Sequence, residues 1–338
     1  MPAIHFANDD EWHSIREMHV GGSDVAALFN VWLLPDGTQK VRHLYEPPGP
    51  EDIHLECVSP YKSSFALWQE KAGNLQPDFA ESERMEAGRH LEPALASWAQ
   101  SKWDWKLRKV RRYLQHDECE GWGASRDYEA VEPGYPPVEF KNVDFLVFRD
   151  QWQGSDDDMV PPLHISLQLQ SQIGAGAKNC TYGWIVVCVG GNKLKRVKVE
   201  RHEPTQAFIR EAVEMFWAGI KAGKPPIWLA DADTVTRLAS HENVDKVSAI
   251  DLTGDEAADR DIRRYIRWKR HFDFVGHHLD GIKARIGVKM MDATKATAPS
   301  GSVTWPIIKR EAKLIPERWQ DEKIYRGGFT VRPAKQEK

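Results

Sequence analysis

The chain has 338 residues, room for one large domain or two ordinary ones, and 41% of them are hydrophobic, which excludes wholesale disorder. Its formal charge of −4 excludes a uniform basic coat, though a local basic groove remains compatible with it. The 4 cysteines, Cys57, Cys119, Cys180 and Cys188, form no CxxC pair, which argues against a zinc or iron–sulfur site and for reduced thiols in a cytoplasmic protein.

The opening stretch "MPAIHFANDDEWHSIREMHV" lacks a basic end followed by an apolar run, so no signal peptide is read there. No segment approaches the roughly 18 apolar residues of a membrane span. Residues 10–30 read as a helix, a break at "GGSD" and a second helix through "VAALF", with Ser23 as its N-cap. Residues 31–58, rich in Pro, Gly and charge, read as an irregular insertion. "SPYKSSFALWQEKAG" predicts a turn and an amphipathic helix ending at Gly73. "ESERMEAGRHLEPALASWAQSKW" predicts a long helix with Met85, Leu91, Leu95 and Trp98 on its apolar face and a kink or new start at Pro93.

β-like runs follow in "KLRKVRRYLQ", "VEFKNVDFLVF" and "TYGWIVVCVG", the last leading into "KLKRVKVERHE". The stretch "LHISLQLQSQIGAGAK" is a helix between the second and third, and "PTQAFIREAVEMFWAGIKAG" is a further helix stopped by Gly223 and Pro225. This order predicts an α/β fold around a mixed sheet. Residues 1–226 are expected to form the core and 227–338 a helical extension with a basic tail. In the extension, 255–290 reads as a charged helix with Ile262, Ile266, Phe272, Val275, Leu279, Ile282 and Ile286 near one face, followed by a hinge, "TAPSGSVTW".

Chemistry is concentrated in "GWGASRDYEAVEPGYPPVEFKNVDFLVF". Alternate residues of a strand share a face, so Glu139 and Lys141 point one way and Phe140 the other. An isolated E-x-K is ordinarily a surface ion pair. Two similar patterns, Glu311-Ala312-Lys313 and Asp321-Glu322-Lys323, lie in the charged tail. Here the flanking residues are apolar, and a buried carboxylate must be paired or metal-bound. With Asp127 upstream, the set suits Mg²⁺-dependent phosphodiester hydrolysis, which needs oxygen ligands and a group to stabilise developing charge. "KWDWKLRKVRRYL" and "KLKRVKV" mix basic and apolar residues; each fits a strand beside nucleic acid or a solvated face equally well.

From about residue 16 to 225 the chain resembles the YqaJ-type viral recombinases, the phage alkaline exonucleases related to lambda exonuclease, within the PD-(D/E)xK nuclease superfamily. The motifs carrying the resemblance are "VGGSDVAAL", "SPYKSSFALWQEKAG", "GRHLEPAL", "ASRDY", "VEFK" and "LQLQSQI", and "GSVTWPIIKR" near the end also resembles the tail of several members. Two positions depart from the family pattern: Arg126 stands where Pro is usual and Tyr128 where Gly is usual.

The resemblance implies a restriction-endonuclease-like core acting as a 5′→3′ exonuclease on double-stranded DNA ends. The product would be a 3′ overhang for a phage single-strand annealing protein. Asp127, Glu139, the Phe140 carbonyl and Glu92 would hold Mg²⁺, or Mn²⁺ in its place. Lys141 and Gln168 would orient water or stabilise charge. Arg16, Ser23 and Ser125 would hold the terminal 5′-phosphate, a group suited to a guanidinium and hydroxyls. A ring-shaped homotrimer and a cytoplasmic, membrane-free setting are implied too. Competing readings are a RecB-like nuclease of the same superfamily and a catalytically inactive DNA-end-binding module.

Overall fold

In chain order the strands are β1 (Ala3–His5), β2 (Phe29–Leu33), β3 (Gln39–His43), β4 (Ile53–Cys57), β5 (Leu107–Lys109), β6 (Arg112–Gln115), β7 (Gly123–Ser125), β8 (Tyr128–Ala130), β9 (Pro137–Val143), β10 (Tyr182–Val189), β11 (Lys193–Glu200), β12 (Lys295–Ala298) and β13 (Gly301–Thr304). The helices are α1 (Asp9–Glu17), α2 (Ser64–Lys71), α3 (Glu83–Trp103), α4 (Phe145–Gln151), α5 (Leu163–Gly174), α6 (Glu203–Lys221), α7 (Ala232–Ser240) and α8 (Glu256–Met290). The structure, a computed structural model, describes residues 3–76, 83–154, 159–176, 178–240, 251–290, 293–298 and 301–304. It divides into two units, Met1–Leu238 and Ala239–Lys338.

The first unit is built on a mixed sheet with strand order β11-β10-β9-β8-β5. Strand β10 runs parallel to β9 and antiparallel to β11. Parallel neighbours need a crossover, and α4 and α5 supply it. Leu95, Ala96 and Ala99 of α3 pack on one sheet face against Tyr128, Phe140, Val186 and Leu194. Ile165, Leu169 and Ile173 of α5 cover the other face against Ile185 and Val187. Strand alternation therefore sends Phe140 toward α3 and Glu139 and Lys141 toward α5. The α/β architecture around a mixed sheet is as the sequence predicts.

Several local expectations are overturned. Residues 31–58 are not irregular: β2, β3 and β4 form an antiparallel sheet of order β3-β2-β4. Their short runs, "FNVWL", "QKVRH" and "IHLEC", are masked in the sequence by the turn-rich segments between them. The second helix of residues 10–30 is a single 3-10 turn, Val25–Leu28, whose cap position is Asp24 and not Ser23. "KLRKVRRYLQ" splits between two sheets, β5 pairing with β8 and β6 with β1 and β7. "DFLVF" turns into α4, capped by the Asp144 side chain on the Leu146 N–H, so the apolar strand ends at Val143.

Helix α3 runs through Pro93 unbroken, and it buries Leu95, Ala96 and Ala99 while Met85, Leu91 and Trp98 are exposed. Core packing of the small residues outweighs the periodicity of the large ones.

The second unit holds α8 and the β12–β13 hairpin, which replaces the expected hinge. On α8, Phe272, Val275 and Leu279 are exposed. The patterns at Glu311 and Asp321 lie outside the described residues. No helix among the described residues is long and apolar enough to cross a membrane.

Candidate active site

Strand β9 holds the E-x-K pair because its neighbours fix it on both sides: Glu139 lies opposite Ile185 and Lys141 opposite Val187 of β10. Glu139 is buried, and its carboxylate is gripped by three donors. Lys141 Nζ and Gln168 Nε2 each donate to Oε1 at 2.7 Å, and Gln172 Nε2 donates to Oε2 at 2.6 Å. Lys141 Nζ also donates to Gln168 Oε1 at 2.9 Å, which closes a triangle and fixes the Gln168 amide orientation. Burial works to lower the Lys141 pKa, but the adjacent Glu139 and Asp127 outweigh it and hold the ammonium above its ordinary value.

Asp127 sits between β7 and β8, and its carbonyl accepts the Val110 N–H at 3.1 Å. Its carboxyl is pushed well above the usual carboxylate range, first by burial and then by Glu139 and Glu92. Glu92 reaches this group from α3, with Lys109 Nζ at 3.2 Å. Three acids thus act on one another, while Phe140 turns its ring away, 5.5 Å from that of Tyr128.

A second cluster forms where α1, the "GGSD" loop and α2 meet. Arg16 Nη2 donates to Ser23 Oγ at 2.9 Å and lies 3.4 Å from Asp24 Oδ1. Lys71 Nζ donates to the Arg16 carbonyl at 2.5 Å and lies 3.4 Å from Asp24 Oδ2. Burial would raise the Asp24 pKa, but Arg16, Lys71 and Lys62 overcome it and bring it to about 2. Tyr113 Oη is buried here without a hydrogen-bond partner among the described residues. Ser125 faces Tyr113 across the β6–β7 ladder, and its carbonyl accepts from Gln172 Nε2 at 3.3 Å.

The two clusters share α5. A Cβ on Gly22 would meet the Gln168 carbonyl and Gln172 Cγ, each at 3.6 Å, so the glycine loop rests on the turn that carries both amides. The eight side chains singled out by sequence thus fall in two adjoining groups: Glu92, Asp127, Glu139, Lys141 and Gln168 in one, with the Phe140 backbone between Glu139 and Lys141, Arg16 and Ser23 in contact in the other, and Ser125 between them.

Other members escaped the sequence reading. Gln172 is not among the residues singled out by sequence, yet it lies four residues after Gln168 on the same face, and that spacing is the signal for it. Gln170 is buried as well, and its Nε2 donates to the Glu200 carbonyl at 2.7 Å. Lys62 and Lys71 sit in the quoted "SPYKSSFALWQEKAG" motif, but nothing local ties them to Asp24. Arg126, one of the two departures, is almost fully buried and donates to Glu129 Oε1 at 2.7 Å and to the Gln172 carbonyl at 2.6 Å. It ties the strand beside Asp127 to the end of α5. Tyr128, the other departure, is core on the α3 side.

No three His, Cys, Asp or Glu side chains among the described residues are grouped to enclose a metal by themselves. The fit is of another kind: Asp127 and Glu139 are oxygen donors close together, burial and the neighbouring acids disfavour ionisation of Asp127, and a divalent cation relieves that crowding. Two carboxylates completed by water and phosphate oxygens are an ordinary Mg²⁺ set.

Residues 52–178 match the model of the YqaJ-like viral recombinase domain. The uncharacterized protein YqaJ of Bacillus subtilis (strain 168) is 23% identical over 322 residues, covering 92% of this chain and 88% of that protein. Among solved structures, an alkaline exonuclease from Laribacter hongkongensis is similar at 17% identity and a TM-score of 0.45, covering 65% of this chain and 95% of that one. The same exonuclease in complex with dAMP gives a TM-score of 0.46 at 17% identity, again over 65% of this chain and 95% of that one. At these values the structural likeness assigns no residue a role. The segment that matches this domain model carries the E-x-K strand, Asp127 and both glutamines.

Proposed function

We propose that this chain is a Mg²⁺-dependent 5′→3′ exonuclease that digests one strand of duplex DNA from its end and leaves a 3′ overhang for annealing-based recombination. The observation that carries the reading is the crowded Asp127–Glu139 pair with Lys141 and Gln168 locked against it. An ordinary surface ion pair would not bury a carboxylate under three donors.

When bound, the metal would supply Lewis-acid polarisation of the phosphate and a nucleophilic water. The chain's own residues do the rest. Asp127 and Glu139, with the Phe140 carbonyl and Glu92, would hold the ion, and Mn²⁺ would serve in its place. Gln172 and Gln168 hold the Glu139 carboxylate in one orientation. The Lys141 ammonium stays charged and is aimed into the same space, where it stabilises charge that develops on the phosphate.

Arg16, Ser23 and Ser125 would position the terminal 5′-phosphate one loop away, with Lys62 and Lys71 adding positive charge. Asp24 opposes them and keeps Arg16 ordered. The active form is proposed to be a homo-oligomer, a ring-shaped trimer around DNA, working in the cytoplasm of a phage-carrying host. Its support is the resemblance and the exposed apolar stripe of α8.

The test is digestion of end-labelled linear duplexes, one 5′-phosphorylated and one 5′-hydroxyl, with and without Mg²⁺. Metal-dependent loss of the 5′ label with an intact 3′ strand is expected, faster on the phosphorylated end. Retained binding to duplex ends with no cleavage in either metal would make the chain an end-binding module instead.

A further inference from the structure

The two basic stretches that the sequence left open come together in space, and on the far side of the sheet from Glu139. The Arg196 guanidinium of β11 lies over three indoles: Cζ is 4.8 Å from the Trp103 ring centre, 4.5 Å from Trp105 and 5.0 Å from Trp184. The indoles pack against one another, Trp103 tilted against Trp105 at 5.3 Å and Trp105 edge-on to Trp184 at 5.0 Å. Beside them is a cleft of about 430 Å³ lined by Lys102, Trp103, Trp184, Lys195, Arg196 and Lys198 among others.

Two features of this cleft are unusual for a merely structural cluster. The Trp184 indole N–H is buried with no hydrogen-bond partner among the described residues, where a buried donor is ordinarily satisfied. Arg196 has no carboxylate within ion-pair distance among the described residues; Glu132 acts on it only at longer range. The opposing features are local. Lys198 pairs with Glu200 at 2.6 Å, and Lys102 donates to the Leu194 carbonyl at 2.6 Å. The cleft still presents the Arg196 guanidinium, a cation held over three indoles with no carboxylate at ion-pair distance among the described residues, which suits a phosphate oxygen. The adjoining indoles and Tyr182, which Lys198 overlies at 4.0 Å, supply aromatic surface.

We infer that this cleft binds single-stranded nucleic acid, one phosphate engaging Arg196 while an unpaired base stacks on the aromatic wall. Stacking surface recognises unpaired bases, because in a duplex the base faces are already covered. The inference rests on the nuclease reading, which supplies the occupant: an exonuclease that digests one strand generates the other as a single strand beside itself. Trp103 lies eleven residues beyond Glu92 on α3, about 16 Å at the helical rise, so the cleft is a track away from the reacting bond and not part of it.

The test uses the full chain in EDTA, where no hydrolysis occurs, with a labelled 12-mer of oligo(dT) read by fluorescence anisotropy. Arg196→Gln is expected to weaken binding tenfold or more and Lys198→Glu several-fold. Each lost phosphate contact should flatten the salt dependence by about 0.7 in log–log slope. Release of the first nucleotide from a short blunt duplex should change less than twofold in both variants. If Arg196→Gln does not fold, Lys198→Glu carries the test, since its side chain is 42% exposed.

Unchanged strand affinity and salt slope in the folded variants would overturn the assignment. So would equally tight and equally sensitive binding of a hairpin duplex, or displacement of the strand by dTMP at matched concentration. Wild-type protein that cleaves DNA while its variants bind normally removes the cleft alone. Wild-type protein that cleaves nothing yet binds the strand through Arg196 removes the nuclease reading and leaves the cleft.

Discussion

Gln172 Nε2 donates to Glu139 Oε2 across 2.6 Å, with both side chains buried. Gln168, one helical turn earlier, donates to the other oxygen at 2.7 Å, so α5 holds the carboxylate at both ends. A hydrogen bond to a charged group contributes about 1.5–3 kcal/mol. Gln172→Ala should therefore lower the rate of DNA hydrolysis roughly 10–100-fold at saturating metal, if the carboxylate must hold this orientation in the transition state. A variant with wild-type turnover and an unchanged metal requirement would show that Gln168 suffices alone.

Asp127→Ala, Glu139→Ala and Lys141→Ala are each expected to abolish or nearly abolish hydrolysis in folded protein. Groups that act as a unit lose activity non-additively, so the triple variant should be little worse than any single one. Glu311→Ala, in the E-x-K of the tail, should remain active. Near-normal turnover by purified, folded Glu139→Ala protein would falsify the metal-site reading.

The Arg16–Ser23 contact predicts a phosphate-specific effect. Arg16→Ala should slow digestion of 5′-phosphorylated duplex by about 10–100-fold, the equivalent of one charge-assisted contact of roughly 1.5–3 kcal/mol. It should leave the slower reaction on 5′-hydroxyl duplex nearly untouched, because the partner is already missing. Substrate and residue then form a double-mutant cycle. Equal slowing on both substrates would remove Arg16 from the phosphate pocket without touching the nuclease assignment.

Asp24 makes the first unit acid-sensitive. Its folded pKa of about 2 lies below the ordinary carboxylate value, so its contribution to stability is present above about pH 4 and is lost as pH falls toward 2. The linkage amounts to about 2 kcal/mol for this buried group. Asp24→Asn should be less stable than wild type in urea at pH 6, and the gap should shrink by about that amount at pH 2. A gap independent of pH would mean that Arg16 and Lys71 do not depend on the Asp24 charge.

Local pattern was enough for the elements whose burial is continuous along the chain. Apolar runs in "TYGWIVVCVG" and "LHISLQLQSQIG" make β10 and α5 wherever they are placed, and strand alternation alone puts Glu139 and Lys141 on one face. Pattern misled where packing chose among options of similar local preference. The small residues of α3 went to the core in place of Met85 and Trp98, "DFLVF" became a helix, and "KLRKVRRYLQ" was shared between two sheets.

What tertiary structure alone decided is which residues distant in the chain act on one another. Asp24 and Lys71, Asp127 and Glu92, Arg196 and Trp103 each lie too far apart in sequence for any periodicity to relate them. They interact because sheet and helix packing excludes water and brings them together, and at Asp24 and Asp127 burial and neighbouring charge then set protonation. A sequence determines which side chains can carry chemistry and which face of their own element they occupy. Which of them must answer to one another is decided by the desolvated space that the fold encloses.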